Sequence, residues 1–314
     1  DGAIKLVRNS TGRSDLIAFQ GAFHGRTMGA VSLTCSKVHY RAGFGPMVPG
    51  VHHVPYPNAY RLETGGQEPG EWVLEHIREE LFGRKVSPKD VAAVFIEPFL
   101  GEGGYVMPPP GFLRGLRQLC DEHGILLVAD EIQTGAGRTG RMWAMEHEGV
   151  VPDVLLTAKG IGSGMPIGAI IAREEIMRWG TGSHGSTYGG NPVCCAAALA
   201  TLDLLEGGVI ANAAKVGAHM MAGLKALQRK HDCIGDVRGV GLFVGVEFVQ
   251  DRVTKVPAKK LIGQLETLAF QRGLLLLPCG KSVLRISPPL VIDEVDVDAG
   301  LAILDGCLDE LTEG

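Results

Sequence analysis

The chain of 314 residues carries 30 basic and 35 acidic side chains, a net charge of −5, with 45% hydrophobic and 21% charged residues. That length accommodates one large α/β domain and a smaller one, and a mildly acidic chain with no basic run longer than a pair is a poor partner for nucleic acid or anionic membranes. Seven cysteines with no C-x-x-C spacing point to reduced thiols in a cytosol-like, cytoplasmic setting and to no zinc or other metal site.

Residues 1–8 read as a helix, with Ala3, Ile4 and Val7 at helical spacing, yet no starting Met or N-cap precedes it. Residues 16–19 are strand-like; a loop follows, then a second apolar run at 30–33. A helix is predicted over 72–81, a short buried strand over 91–96, a helix over 111–122 and a strand over 125–129. Two further strands follow at 154–157 and 167–172. Strands alternating with helices, and apolar on both faces, imply a mostly parallel sheet with helices on either side. A long helical tract runs from about 192 to 230, with a break expected near Gly207-Gly208. Beyond it, 241–248 alternates, a helix covers 258–272, short strands fall near 274–277 and 283–286, and an amphipathic helix closes the chain at 293–311. No run approaches ~18 uninterrupted apolar residues, which argues against a membrane span. The expected division is a large α/β domain at 1–208 and a small α+β domain at 209–314. The 45 glycines, roughly twice the usual share, fall mainly at strand-to-loop junctions, where backbones approach closely.

Lys159 is the only charged side chain between Asp153 and Arg173, and it sits where the apolar run 154–158 meets the glycine-rich turn 160–164. Earlier, another apolar run, 125–129, ends in Asp130-Glu131. An amine and a carboxylate, each delivered by the end of a buried strand, are the equipment of a pyridoxal phosphate enzyme. The amine forms a Schiff base, and the carboxylate keeps the pyridine nitrogen protonated. A lysine so placed is either partly desolvated or facing a cleft.

Four segments together resemble the class-III aminotransferases, a fold-type-I pyridoxal phosphate family close to the 4-aminobutyrate and acetylornithine aminotransferases. They are Phe23-His24-Gly25-Arg26-Thr27; the eight residues from Glu97-Pro98 to Gly103-Gly104; the stretch from Leu127 through Asp130-Glu131-Ile132-Gln133 and the Gly135–Gly140 insert to Lys159; and Ser186-Thr187-Tyr188-Gly189-Gly190-Asn191-Pro192. The resemblance runs over essentially the whole chain. It implies that Lys159 carries the Schiff base and shuttles a proton at the substrate Cα, while Asp130 pairs with the pyridinium. It further implies that Gln133 bonds the cofactor's phenolic oxygen, that Phe23 covers one ring face with Ile132 among the cofactor contacts, and that Thr187 reaches a phosphate across a dimer interface. His24 either orients its loop or is structural. For the substrate it implies that Arg285 clamps an α-carboxylate, that Glu102 neutralises that arginine when an ω-amine enters, and that Arg26 receives a distal carboxylate.

The family carries upstream a long segment and a phosphate-cradling Ser-Gly-x-Glu-Ala loop; residues 1–6 resemble the helix just after it, so a front segment is expected to be missing. The implied activity moves an amino group from an ω-amino acid to 2-oxoglutarate, by a homodimer with composite sites. A racemase of the same family and a non-catalytic fragment are the alternatives.

Overall fold

A computed structural model describes residues 1–313, of residue 313 only the backbone, and the chain divides into two compact units. The first comprises Asp1–Leu100, Pro108–Ala136 and Trp143–Asp203. It is built on six strands: β1 (Asp15–Phe19), β2 (Val51–Val54), β3 (Val91–Ile96), β4 (Leu126–Asp130), β5 (Val154–Thr157) and β6 (Ala169–Ala172). Their order is β2-β1-β3-β4-β5-β6, parallel at every pairing except β5 with β6. All six positions of β3 are buried, because helices cover both faces of a parallel sheet and leave no polar side to alternate with. Leu16, Ala18, Phe95, Val128 and Val154 form the centre of this core. The register pairs Ile96 with Ala129 and Asp130 with Leu156, so β3, β4 and β5 finish side by side at one edge. Carboxyl ends of parallel strands are where open α/β sheets build their sites.

The helices of this unit are α1 (Gly2–Thr11), α2 (Met28–Leu33), α3 (Pro69–His76), α4 (Phe112–His123) and α5 (Pro192–Leu204). The run at 30–33, too short to display any period, is helical: it completes α2, where Ser32 Oγ bonds back to the Met28 carbonyl at 2.7 Å. A strand that periodicity does not suggest is β2, whose Val-His-His-Val carries two imidazoles tied off locally, His52 to Asp15 and His53 to the Leu33 carbonyl. The last strand, β6, begins two residues later than expected and is largely open, with Ile171 exposed.

The second unit comprises Gly101–Met107, Gly137–Met142 and the chain from Leu204 on. Its sheet joins β7 (Ile234–Val240), β8 (Phe243–Phe248), β9 (Leu277–Cys279) and β10 (Val283–Ile286) in the order β7-β8-β10-β9, antiparallel throughout. Helices α6 (Ile210–Lys230), α7 (Lys259–Gln271) and α8 (Glu294–Glu313) supply Met220, Leu224, Leu265 and Leu304 to a core shared with Val246 and Phe248 of β8. A single cut in the chain misses the two early segments of this unit. The second of them is locked in by glycines: a Cβ on Gly137 would lie 2.9 Å from Leu205 and one on Gly140 2.9 Å from Ala214.

One helical tract among the described residues, Pro192–Lys230, is long and apolar enough to cross a membrane by length and composition alone. It is no straight rod. Gly208 breaks it at a φ of 128°, where the glycine pair led one to expect a break. After the break α6 buries Ala213, Val216, Met220 and Leu224 in the second core, whereas the most apolar 18-residue window of the tract is only 17% buried.

Candidate active site

Asp130 closes β4, and the next amide, Glu131 N, donates to the Leu156 carbonyl of β5 at 3.0 Å. That bond fixes β5 beside the carboxylate, and Lys159 follows three positions later at the same edge. Lys159 has a φ of 47°, in the left-handed region that non-glycine residues avoid. Such a backbone costs about 1–3 kcal/mol and persists only where its surroundings impose it. The next residue, Gly160, packs closely: a Cβ there would lie 3.3 Å from the Ala136 Cβ. The side chain of Lys159 is exposed in the isolated chain and not desolvated, because the turn departs from the strand direction as soon as the apolar run ends.

Around Asp130 the arrangement is enclosed. The carboxylate is 5% exposed. Its Oδ2 lies 2.8 Å from His24 Nδ1, and Oδ1 accepts from Ile132 N at 3.2 Å. Burial pulls the His24 pKa down, but the hydrogen bond and charge of Asp130, with the charge of Glu97 behind them, hold it above its ordinary value. His24 Nε2 is buried with no hydrogen-bond partner. The loop that carries His24 is pinned at two amides: Phe23 N donates to Glu97 Oε1 at 2.6 Å, and His24 N to Thr34 Oγ1 at 2.9 Å. Glu97, at the end of β3, and Thr34 are site residues that sequence reasoning left without a role. Glu97 carried the same signal as Asp130, an acid ending a buried strand.

The Phe23 ring meets Tyr40 edge-on at 5.1 Å, and the Arg26 guanidinium lies over Tyr40 at 4.7 Å. Gln133 is half-buried on the turn after β4, while Thr187 lies in a fully exposed stretch, 181–190. Just beyond, Asn191 Oδ1 accepts from Val193 N at 3.0 Å and caps α5, whose first residue is a proline. In the second unit Arg285, on β10, donates from Nη1 to Glu102 Oε1 at 2.7 Å. Its Nε is buried with no partner.

A pyridoxal phosphate suits the donor set of the first unit: a primary amine on a strained turn, a buried carboxylate backed by an imidazole, and exposed hydroxyls on a glycine-rich loop. The orphaned Nε2 of His24 is the kind of buried polar atom that a bound group or water satisfies. No metal is required by this set. Among the described residues His231, Asp305 and Asp309 converge elsewhere, but the Lys230 ammonium already bridges both carboxylates at 2.8 Å.

The chain is matched over residues 1–308 by the family model for class-III aminotransferases. It is 42% identical to the 5-aminovalerate aminotransferase of Pseudomonas aeruginosa, over 99% of this chain and 72% of that protein. It is 40% identical to the alanine/serine racemase of Pyrococcus horikoshii, over 100% of this chain and 68% of that protein. The crystal structure of an amine transaminase from an uncultivated Pseudomonas species superposes with a TM-score of 0.91 at 32% identity, covering 99% of this chain and 74% of that one. A match of this extent, on a strand edge that carries the amine and the acid, means that the chain belongs to the class-III aminotransferases and is a pyridoxal phosphate-dependent transaminase.

Proposed function

We propose that the enzyme moves an amino group from an ω-amino acid to 2-oxoglutarate, with Lys159 and Asp130 as its central residues. The observation that carries the substrate class is the Arg285–Glu102 ion pair with its unused Nε. A guanidinium clamps a carboxylate through two N–H groups, and this one has a single carboxylate contact and a second donor to spare. With glutamate, Arg285 takes the α-carboxylate and Glu102 withdraws; with an ω-amine, Glu102 stays and spares an apolar chain the cost of facing an unpaired charge. Arg26, steadied on Tyr40, receives the distal carboxylate. The likeness to a 5-aminovalerate aminotransferase points the same way.

The cofactor, when bound, supplies a sink for the electron pair left as a proton departs from the substrate's Cα. Lys159 holds it through Nζ and then moves that proton. Asp130 keeps the pyridine nitrogen protonated, and His24 keeps Asp130 in place. Phe23 and Ile132 would lie against its ring, and Gln133 would hydrogen-bond its phenolic oxygen. Thr187 serves the phosphate of a second copy's site, in a homodimer that would also cover Val193, Leu199 and Leu204, each more than 60% exposed along α5.

The deciding assay combines holoenzyme, an ω-amino acid such as 5-aminovalerate, and 2-oxoglutarate. Glutamate formation is expected. A D-amino acid produced from its L-isomer without any oxo acid would instead make this a racemase, the activity of one relative.

A further inference from the structure

Arg238 belongs to a stretch of β7 that no sequence signal singled out, and its partners are unusual. Its Nε donates to the Tyr105 carbonyl at 3.0 Å and its Nη2 to the Gly104 carbonyl at 2.6 Å. Its Nη1 meets Asp236 at 2.9 Å and Glu247 at 2.7 Å, and Glu247 is buried at 3% exposure. The two carbonyls lie two and three residues after Glu102. In register, Gly245 of β8 stands opposite Arg238 on one side and Arg285 on the other. Directly opposed residues face the same side of a sheet, so two arginines flank one glycine.

The segment carrying Glu102 occupies the space this glycine leaves. A Cβ on Gly245 would lie 2.8 Å from the Tyr105 Cβ. The Tyr105 ring stacks on Phe243 at 3.8 Å with planes 3° apart. Gly280 N donates to the Glu102 carbonyl at 2.9 Å. The backbone takes a positive φ at two positions, 121° at Gly104, which glycine tolerates, and 48° at Tyr105, which strains a residue with a side chain. A left-handed tyrosine persists where its surroundings over-determine it, and the fork of Arg238 on its carbonyl is part of that determination. The two arginines therefore differ in kind. Arg238 is fully engaged, with two carboxylates and two carbonyls, whereas Arg285 meets the Glu102 carboxylate through Nη1 and keeps a buried Nε with no hydrogen-bond partner.

We propose that Arg238, held by Glu247, is a positioning residue for Glu102. It immobilises the 102–105 backbone so that the Glu102 carboxylate engages or leaves Arg285 by side-chain rotation alone, and it thereby sets the discrimination between ω-amine and α-amino acid substrates. This rests on the reading of Glu102 as the group that screens Arg285. A gate on a fixed backbone returns to one geometry after each half-reaction, and misplacement of about 1 Å is enough to cost ~10²-fold in rate.

The test compares holoenzymes bearing Glu102→Ala, Arg238→Met, both together, and Arg238→Lys. The readouts are kcat/KM for an ω-amino donor and for L-glutamate, thermal midpoint, and amide hydrogen exchange across 102–105. Arg238→Met is expected to depress the ω-donor reaction by roughly 10- to 100-fold more than the glutamate reaction, to speed exchange at 102–105, and to add nothing to that bias in the Glu102→Ala background. Arg238→Lys keeps the pairing with Glu247 but cannot fork onto two carbonyls, so it recovers the thermal midpoint without recovering the bias. Equal losses in both half-reactions for Arg238→Met, or a bias additive with that of Glu102→Ala, would overturn the proposal while leaving the gate intact. An unbiased Glu102→Ala would overturn the gate itself and the proposal with it.

Discussion

Lys159 and Asp130 owe their legibility to contrast: a single charge at the end of an apolar run stands out in any sequence. Their neighbours do not. The hydrogen bond between His24 and Asp130 joins residues 106 positions apart, and no local pattern announces it. Glu97 was visible as an acid, but its acceptor role toward Phe23 N depends on a loop path that only the folded chain defines. If the roles proposed here hold, Lys159→Ala abolishes turnover, and Asp130→Asn retains cofactor but loses ~10³-fold or more in kcat, the scale of an electrostatic contact that strengthens in the transition state; near-normal turnover of Asp130→Asn in a steady-state assay would remove that acid from the mechanism. The His24–Asp130 pair also carries a pH signature. The folded pKa of His24 is raised above 6.5, so its proton is bound more tightly in the folded chain than in the unfolded one. Its contribution to stability is complete below the unfolded pKa and is lost as pH rises through the folded value. Thermal midpoints of wild type and His24→Gln, measured from about pH 6 to pH 9, should therefore converge as pH increases. A difference independent of pH would mean that His24 stays neutral throughout.

Among the elements, those with strong periodicity or flanking punctuation were readable, and those defined by their partners were not. The strands at 91–96, 154–157 and 283–286 stand where their apolar runs place them. By contrast β7, Ile-Gly-Asp-Val-Arg-Gly-Val, contains two glycines and two charges. It is a strand because β8 supplies a hydrogen-bonding edge and because Asp236 and Arg238 pair with each other. Glycines inside helices were equally opaque, since sequence cannot tell a close approach from an accident. The structure separates two of them. In α8, a Cβ on Gly300 would meet only Leu274 at 3.7 Å, an ordinary contact beside an apolar cavity lined by Met220, Leu276 and Leu304. Gly300→Ala should then stabilise by about 1 kcal/mol through helix propensity alone. In α6, a Cβ on Gly217 would fall 2.2 Å from the Gly241 backbone, which cannot rotate away. Gly217→Ala should destabilise by about 1–3 kcal/mol. Denaturant midpoints of the two variants should move in opposite directions; the same direction for both would mean that the packing at Gly217 yields more readily than its distance implies.

At the scale of the whole molecule, an exposed Lys159 is an odd endpoint for a fold that buries Asp130, at the same strand edge, so thoroughly. The stretch 181–190, which carries Thr187, is exposed throughout, and α5 presents Val193, Leu199 and Leu204 to solvent. Apolar side chains exposed along a helix are what a subunit interface leaves behind when one copy is viewed alone. A homodimer would bury both, and it makes a prediction that a monomeric site cannot meet. If Thr187 contacts the phosphate held in the other copy's site, its loss weakens cofactor binding there and not beside its own Lys159. One charge-assisted hydrogen bond to a phosphate is worth about 1.5–3 kcal/mol, hence roughly 10- to 100-fold in affinity, so Thr187→Ala homodimers need correspondingly more pyridoxal phosphate for half-maximal activity. Mixed with an excess of Lys159→Ala chains and allowed to exchange, each Thr187→Ala chain finds a companion whose Thr187 is intact. The one working site in such a hybrid then combines Lys159 from one copy with Thr187 from the other, and its cofactor requirement should return to the wild-type value. If the requirement remains that of the Thr187→Ala homodimer, Thr187 serves its own chain, and the composite arrangement is wrong even if sedimentation shows a dimer.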